Sequence, residues 1–292
     1  MHSDLIEVGW TEEHWNRICG AVTEEAQKAR VGAQVFSLVG PLERTTVAVP
    51  PYSLSVNYPP GARPRLEIDS NPTLYLTRIS ANVYLRSREL ADPDLNSALT
   101  AFRRLANYIA RVEDALVMNG RPGPAAAPPF GVGGIPPVFQ LTGDGAPEGV
   151  FPFHLGPGSR SFVPIVPGGG GTAVVNTIIQ CINDLEAAGQ LGPYACVLSP
   201  SRFAEVCQPT SALVLPRDRI LPFLQGPLLR SSAIQTDFGA VIALSANPIE
   251  LVVADDIHVS FLQRTEDASW VFQVSERVAL RIKETAAISY FQ

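Results

Sequence analysis

Four histidines in 292 residues leave little from which to build a catalytic centre. His2 lies near one end, His14 on the polar side of the first helical stripe, and His154 in a stretch rich in proline and glycine. Only His258, beside Asp255 and Asp256, stands where a carboxylate could orient an imidazole. No serine or cysteine in a nucleophile-elbow setting accompanies it. The four cysteines, Cys19, Cys181, Cys196 and Cys207, have no C-x-x-C spacing, and there is no HExxH. Glu113-Asp114 has no histidine three residues on, so it is not a di-iron helix signature. Gly168 to Gly171 end in neither the GK[ST] of a phosphate loop nor a GxGxxG. No catalytic residue, metal ligand or cofactor is assigned.

Other absences narrow the class further. No apolar run approaches the roughly 20 residues of a membrane span. Asp4 and Glu7 stand where a secretory leader would be basic and then apolar, so a cytoplasmic protein with reduced, buried thiols is expected. A net charge of -6 gives no sign of a nucleic-acid partner. Arg103-Arg104 and the Arg217/Arg219 pair read as solvated faces or ion-pair partners. Only 17% of the residues are charged against 46% apolar, which suits a chain with extensive subunit contacts as well as an apolar-rich monomer.

What is present is a clear succession of elements. Thr11 can cap a helix whose first turn holds Glu12 and Glu13, and Trp15, Ile18, Cys19, Val22 and Ala26 make its apolar stripe. Gly32 is expected to close it, with a strand from Val35 to Val39 stopped by Gly40-Pro41. Tyr52, Leu54, Val56 and Tyr58 then alternate with polar residues or proline. Ile79, Ala81, Val83 and Leu85 do the same beyond a polar tip around Pro59-Pro60-Gly61. The two runs predict a hairpin arm. An isolated hairpin is marginal in water, so the arm needs support from a neighbouring subunit or from its own domain.

Asp92 as N-cap and Pro93 as first helical residue predict a long helix ending at Asn119-Gly120, roughly 40 Å at 1.5 Å per residue. Its stripe is Leu95, Leu99, Phe102, Ala106, Ile109, Val112 and Leu116. Glu113-Asp114 read as partners for arginines such as Arg111, or as a subunit contact. Between residues 121 and 171 there are 11 prolines and 13 glycines with few charges, which predicts an ordered irregular loop. The remainder is mixed. Helices are expected near Thr172–Ala188, Pro200–Cys207 and Arg217–Leu224. Strands are expected at Tyr194–Leu198, Ala240–Leu244, Ile249–Val253, Ile257–Leu262, Trp270–Val274 and Val278–Ile282.

The order of these elements resembles the encapsulin (linocin-type bacteriocin) family of nanocompartment shell proteins. Gly40-Pro41 follows a strand behind a helix with Trp15 and Ala29-Arg30. The run from Ala106 to Gly120 is similar to that family's spine helix with its Glu-Asp pair. Gly192-Pro193-Tyr194-Ala195 resembles its strand entry, and Pro216 to Gly226 followed by Val241 to Ser245 fits its shell-tip region. Glu284-Thr285-Ala286-Ala287-Ile288 is similar to its ending.

The resemblance implies an α+β fold of the HK97 major-capsid type. The N-terminal helix and first strand would take residues 1–44 and the E-loop arm 45–91. The P-domain spine helix, loop and second helix would take 92–189, the A-domain 190–262, and returning strands 263–292. It also implies a large icosahedral homo-oligomer enclosing a cargo protein held through a C-terminal targeting peptide. Trp15, Ile18, Val22, Phe36 and Leu38 are the expected cargo dock. Ala33, Gln34 and Ser37 stand where the family commonly has arginines and an aspartate, so that groove is expected to be more apolar. Tyr52, Leu54, Val56, Tyr58, Ile79, Val83 and Leu85 are the expected intersubunit arm. Two alternatives stay open: a phage or prophage major capsid protein, and a hydrolase-type enzyme built on His258 and Asp256. The fold's early start in this sequence favours the encapsulin, since phage subunits often carry a segment ahead of it.

Overall fold

A computed structural model describes residues 8–58, 63–71, 73–120, 136, 138–144, 148–151, 162–209, 214–234 and 236–292. Helix α1 (Glu12–Ala29) starts where the Thr11 hydroxyl accepts the His14 N–H at 3.2 Å, and Glu12 and Glu13 put negative charge at its dipole's positive end. Its stripe of Trp15, Ile18, Ala21, Val22 and Ala26 is buried. Here the expected boundary is corrected. The helix ends at Ala29, and Gly32 opens a separate turn, α2 (Gly32–Val35), before strand β1 (Ser37–Val39). The Phe36 N–H still bonds to Gly32 O at 2.9 Å, so the chain is coiled where a strand was expected. Gly40 follows at φ +130°, and a Cβ there would sit 2.1 Å from Val253 O. That carbonyl accepts the Leu42 N–H, which is why glycine stands at this corner.

The arm comprises β2 (Ala48–Val49), β3 (Ser53–Asn57), β4 (Arg65–Asp69) and β5 (Leu74–Tyr75), and β6 (Thr77–Arg86) leads on to a one-turn helix, α3 (Ser87–Leu90). The long helix α4 (Asn96–Asn119) has 24 residues and begins later than the Asp92-Pro93 signal predicts. Asp92 instead accepts the N–H groups of Asp94 and Asn96, and buried Leu95 takes a left-handed conformation, so a capped turn precedes the helix.

The first sheet runs β1-β12-β13-β6-β7, with β7 (Phe139–Thr142), β12 (Ile249–Arg264) and β13 (Ser269–Ile282). The expected pairs Ile249–Val253 with Ile257–Leu262, and Trp270–Val274 with Val278–Ile282, are each one continuous strand. The first carries register shifts at Val253/Asp255 and Asp255/His258. Helices α1 and α4 cover one face of this sheet. Phe272 of β13 sits at the centre of an aromatic cluster, stacked on Trp10 at 5.0 Å between ring centres and edge-on to Phe102 at 5.6 Å.

The second sheet runs β10-β9-β11-β14-β8, with β8 (Phe162–Val163), β9 (Tyr194–Leu198), β10 (Gln225–Arg230), β11 (Gly239–Ala243) and β14 (Ile288–Phe291). Both faces of β9 are covered: Ala195 and Val197 join the first core, and Tyr194, Cys196 and Leu198 the second. Helices α5 (Gly170–Ala187), α6 (Pro200–Cys207) and α7 (Pro216–Leu224) build that second core. The packing thus sets α5 against the second sheet, whereas the sequence partition grouped it with α4. It also carries the last strand, β14, into that sheet. Most of the Pro/Gly-rich segment, with His154 and the expected loop, lies outside the described residues, as does His2. Within it, Val150 and Phe151 are buried and bond through their N–H groups to Val117 O and Met118 O.

Candidate assembly surfaces

β3 and β4 form a two-stranded antiparallel ribbon and pair with no other strand among the described residues. The register sets Leu54 opposite Ile68 and Val56 opposite Leu66, so these four side chains share one face. Ser53, Ser55 and Asn57 oppose Asp69, Glu67 and Arg65 on the other face. The polar face is internally bonded: Arg65 Nε lies 2.6 Å from Glu67, and Asn57 donates to Glu67 at 3.0 Å. The apolar face has no such cover. Leu66 is 69% exposed, Ile68 65% and Val56 51%.

The base of the ribbon is held to the subunit. The Leu54 N–H bonds to Lys283 O at 2.8 Å, and the Arg281 guanidinium sits 5.1 Å from the centre of the Tyr52 ring. Arg281 also donates to Pro50 O, while Arg281 and Lys283 both hold Glu250.

The expected arm therefore divides. Tyr52, Val56 and Tyr58 are exposed on the ribbon and its root, with Leu54 half-buried. Ile79, Val83 and Leu85 are not arm residues. They point from β6 into the first core, fully buried for Ile79 and nearly so for the others. The correction has a plain cause. β6 does not pair with β3; it lies between β13 and β7, with Val83 opposite Phe272. The strand that does pair with β3 was missed, although Arg65-Leu66-Glu67-Ile68-Asp69 alternates as a strand should.

The expected cargo dock divides in the same way. Trp15, Ile18 and Val22 are buried inside the subunit, where they join α1 to α4 and the sheet, so they offer no docking surface; Phe36 is buried too, apart from the part that lines the cavity described next. Leu38 is 59% exposed on β1, the edge strand of the first sheet. Beside it a cavity of about 130 Å³ opens between Val35, Phe36 and Ser37 and the segments Ile242–Leu244 and Asn247–Ile249. Ser37 donates to Asn247 at 2.6 Å at this site.

The His258–Asp256 pairing is also corrected. His258 Nδ1 lies 3.3 Å from Asp255 Oδ2 and 3.1 Å from the Asp256 carbonyl, while the Asp256 carboxylate faces Arg30 and the Ile257 N–H. Asp255 is shared with Arg44 at 3.1 Å. Among the described residues no cluster of three or more His, Cys, Asp or Glu could hold a metal ion. No helix among them is long and apolar enough to cross a membrane. Glu113 and Asp114 do pair with an arginine region, but it is Arg30 and the turn after it.

The family model Linocin_M18, described as an encapsulating protein for peroxidase, matches residues 164–279. A type 1 encapsulin shell protein of Myxococcus xanthus is 24% identical over 295 residues, spanning 95% of this chain and 91% of its own. The virus-like particle of Pyrococcus furiosus superposes with a TM-score of 0.62 at 15% identity, covering 96% of this chain and all of that one. The capsid of Myoviridae phage XM1 gives 0.56 at 11% identity, covering 87% and 88%. The fold is that of the HK97-type capsid proteins.

Proposed function

We infer that this chain, an encapsulin-type protein by its relatives and a capsid-type protein by its fold, is the self-assembling subunit of an icosahedral shell that encloses a cargo protein. The observation that carries this is the ribbon. Leu54, Val56, Leu66 and Ile68 form an apolar face on an element with no core of its own. Burying such side chains is worth roughly 1.5–3 kcal/mol each, which a neighbouring copy would supply. In this reading the ribbon is the E-loop, α4 the spine helix of the P-domain, and the second sheet with α5 to α7 the A-domain. The subunit is a container, not an enzyme, and works in the cytoplasm. Negative-stain microscopy of the purified protein tests the reading: closed, uniform particles support it, and a monomer or dimer at working concentration ends it.

Cargo recognition falls to Leu38, the open edge of β1 and the adjoining cavity. An extended C-terminal targeting peptide could add backbone hydrogen bonds along β1 and seat one apolar side chain in the cavity. Leu38→Asp should leave shells intact and empty them of cargo on co-expression. Full loading of that variant would move the dock elsewhere. The phage-capsid likeness supports a second reading, a prophage major capsid protein. Protected nucleic acid inside purified particles would favour it.

A further inference from the structure

Arg30, at the end of α1, reaches three carboxylates on three other elements. Its Nε lies 2.5 Å from Glu113 of α4, one Nη pairs with Glu276 of β13, and the other lies 3.1 Å from Asp256 of β12. Next to it Asp114 of α4 accepts the N–H groups of Val31 at 2.9 Å and Gly32 at 2.8 Å. α2 brings no charged side chain. Glu113, Asp114 and Glu276 are buried, whereas Asp256 is open to solvent. Three buried carboxyls thus face one cation.

Glu113 and Glu276 are both buried and both reach the same guanidinium, so two carboxyl charges share one cation away from water. A second buried negative charge without its own cation costs more than keeping one carboxyl neutral, so the pair holds a proton. Glu113 Oε2 and Glu276 Oε1 are each buried without a hydrogen-bond partner among the described residues, so nothing there offsets a second charge. Burial first, and then Glu276, holds the Glu113 carboxyl well above the usual range, with Arg30 opposing. Burial likewise raises Glu276, and it lifts Asp114 to about 7 against the pull of its two N–H donors and Arg30.

We propose that Arg30, Glu113 and Glu276 form a one-proton latch that pins the end of α1 to the long helix and the central sheet, and that alkaline solution loosens the Arg30–Gly32 junction by removing the proton. The inference needs only the folded subunit and is independent of the shell reading. Its sign follows from linkage: the closed cluster holds a proton that the open one gives up at ordinary carboxyl pH. The latch is therefore fully stabilising below that pH, weakens as pH rises towards the raised value, and levels off above it.

Hydrogen exchange of the Val31 and Gly32 amides in the purified full chain, from about pH 6 to about pH 9 and corrected for intrinsic rates, reads the opening directly. The opening constant should climb by up to about tenfold per pH unit per proton. In Glu113→Gln, which keeps the side chain's shape without its charge or titratable proton, the climb should disappear except for the part near pH 7 that Asp114→Asn removes. A flat wild-type profile overturns the latch, as does a Glu113→Gln profile as steep as wild type. If Glu113→Gln does not fold, Glu276→Gln carries the same expectation, and the wild-type profile decides alone.

Discussion

The ribbon and β6 have the same alternating pattern and opposite surroundings. Leu54 and Val56 alternate with serines as Ile79, Ala81 and Val83 alternate with Ser80 and Asn82. On β6 the apolar face meets α4 and the aromatic cluster around Phe272; on the ribbon, Leu54 apart, it stays exposed among the described residues. Period two therefore tells which side chains share a face, and the chain around them decides what covers it. β6 lies between two strands and beneath a helix, so its face is core. The ribbon is held at its base by Arg281 and Lys283 and its apolar face stays largely exposed, the surface that the proposed assembly would cover.

The largest effect is expected in the core: Phe272→Ala should cost about 3–5 kcal/mol, read from denaturant midpoints, because it empties the centre of the cluster. Arg30→Met should cost about as much, roughly 3–5 kcal/mol, since it leaves Glu113 and Glu276 buried without their cation. Ile79→Ala, on the covered face, should cost about 2–4 kcal/mol. Glu67→Ala, on the ribbon's polar face, should cost less than about 1 kcal/mol and leave assembly unchanged. A larger loss there would show that the polar face is also an interface.

Much of the fold was legible locally. Pro200–Cys207 and Tyr194–Leu198 stand where proline at a helix start and an unbroken apolar run set them, and α4 was located by its stripe although its start was not. A left-handed Leu95 has no sequence signal, so the Asp92 cap was credited to the helix and not to the turn before it. Strand pairing was illegible for a different reason. β6 takes its main partner from β13, far along the chain, while the nearer Arg65–Asp69 strand is mostly charged and was passed over as a polar tip. The same distance hides the ionic cluster, whose Arg30 and Glu276 lie 246 residues apart. The dock was misjudged because a helical stripe looks identical whether it faces cargo or core. Trp15, Ile18 and Val22 face core, and only Leu38, on an edge strand, stays open.

The most direct measurement is the particle mass of Leu66→Asp combined with Ile68→Asp, set beside wild type in solution. Both positions are open to solvent in the subunit, so its own stability should change by no more than about 0.5 kcal/mol per site. A closed shell is expected for the wild type and a folded but unassembled subunit for the variant. A variant that still closes into full shells would show that the ribbon's apolar face does not hold the copies together.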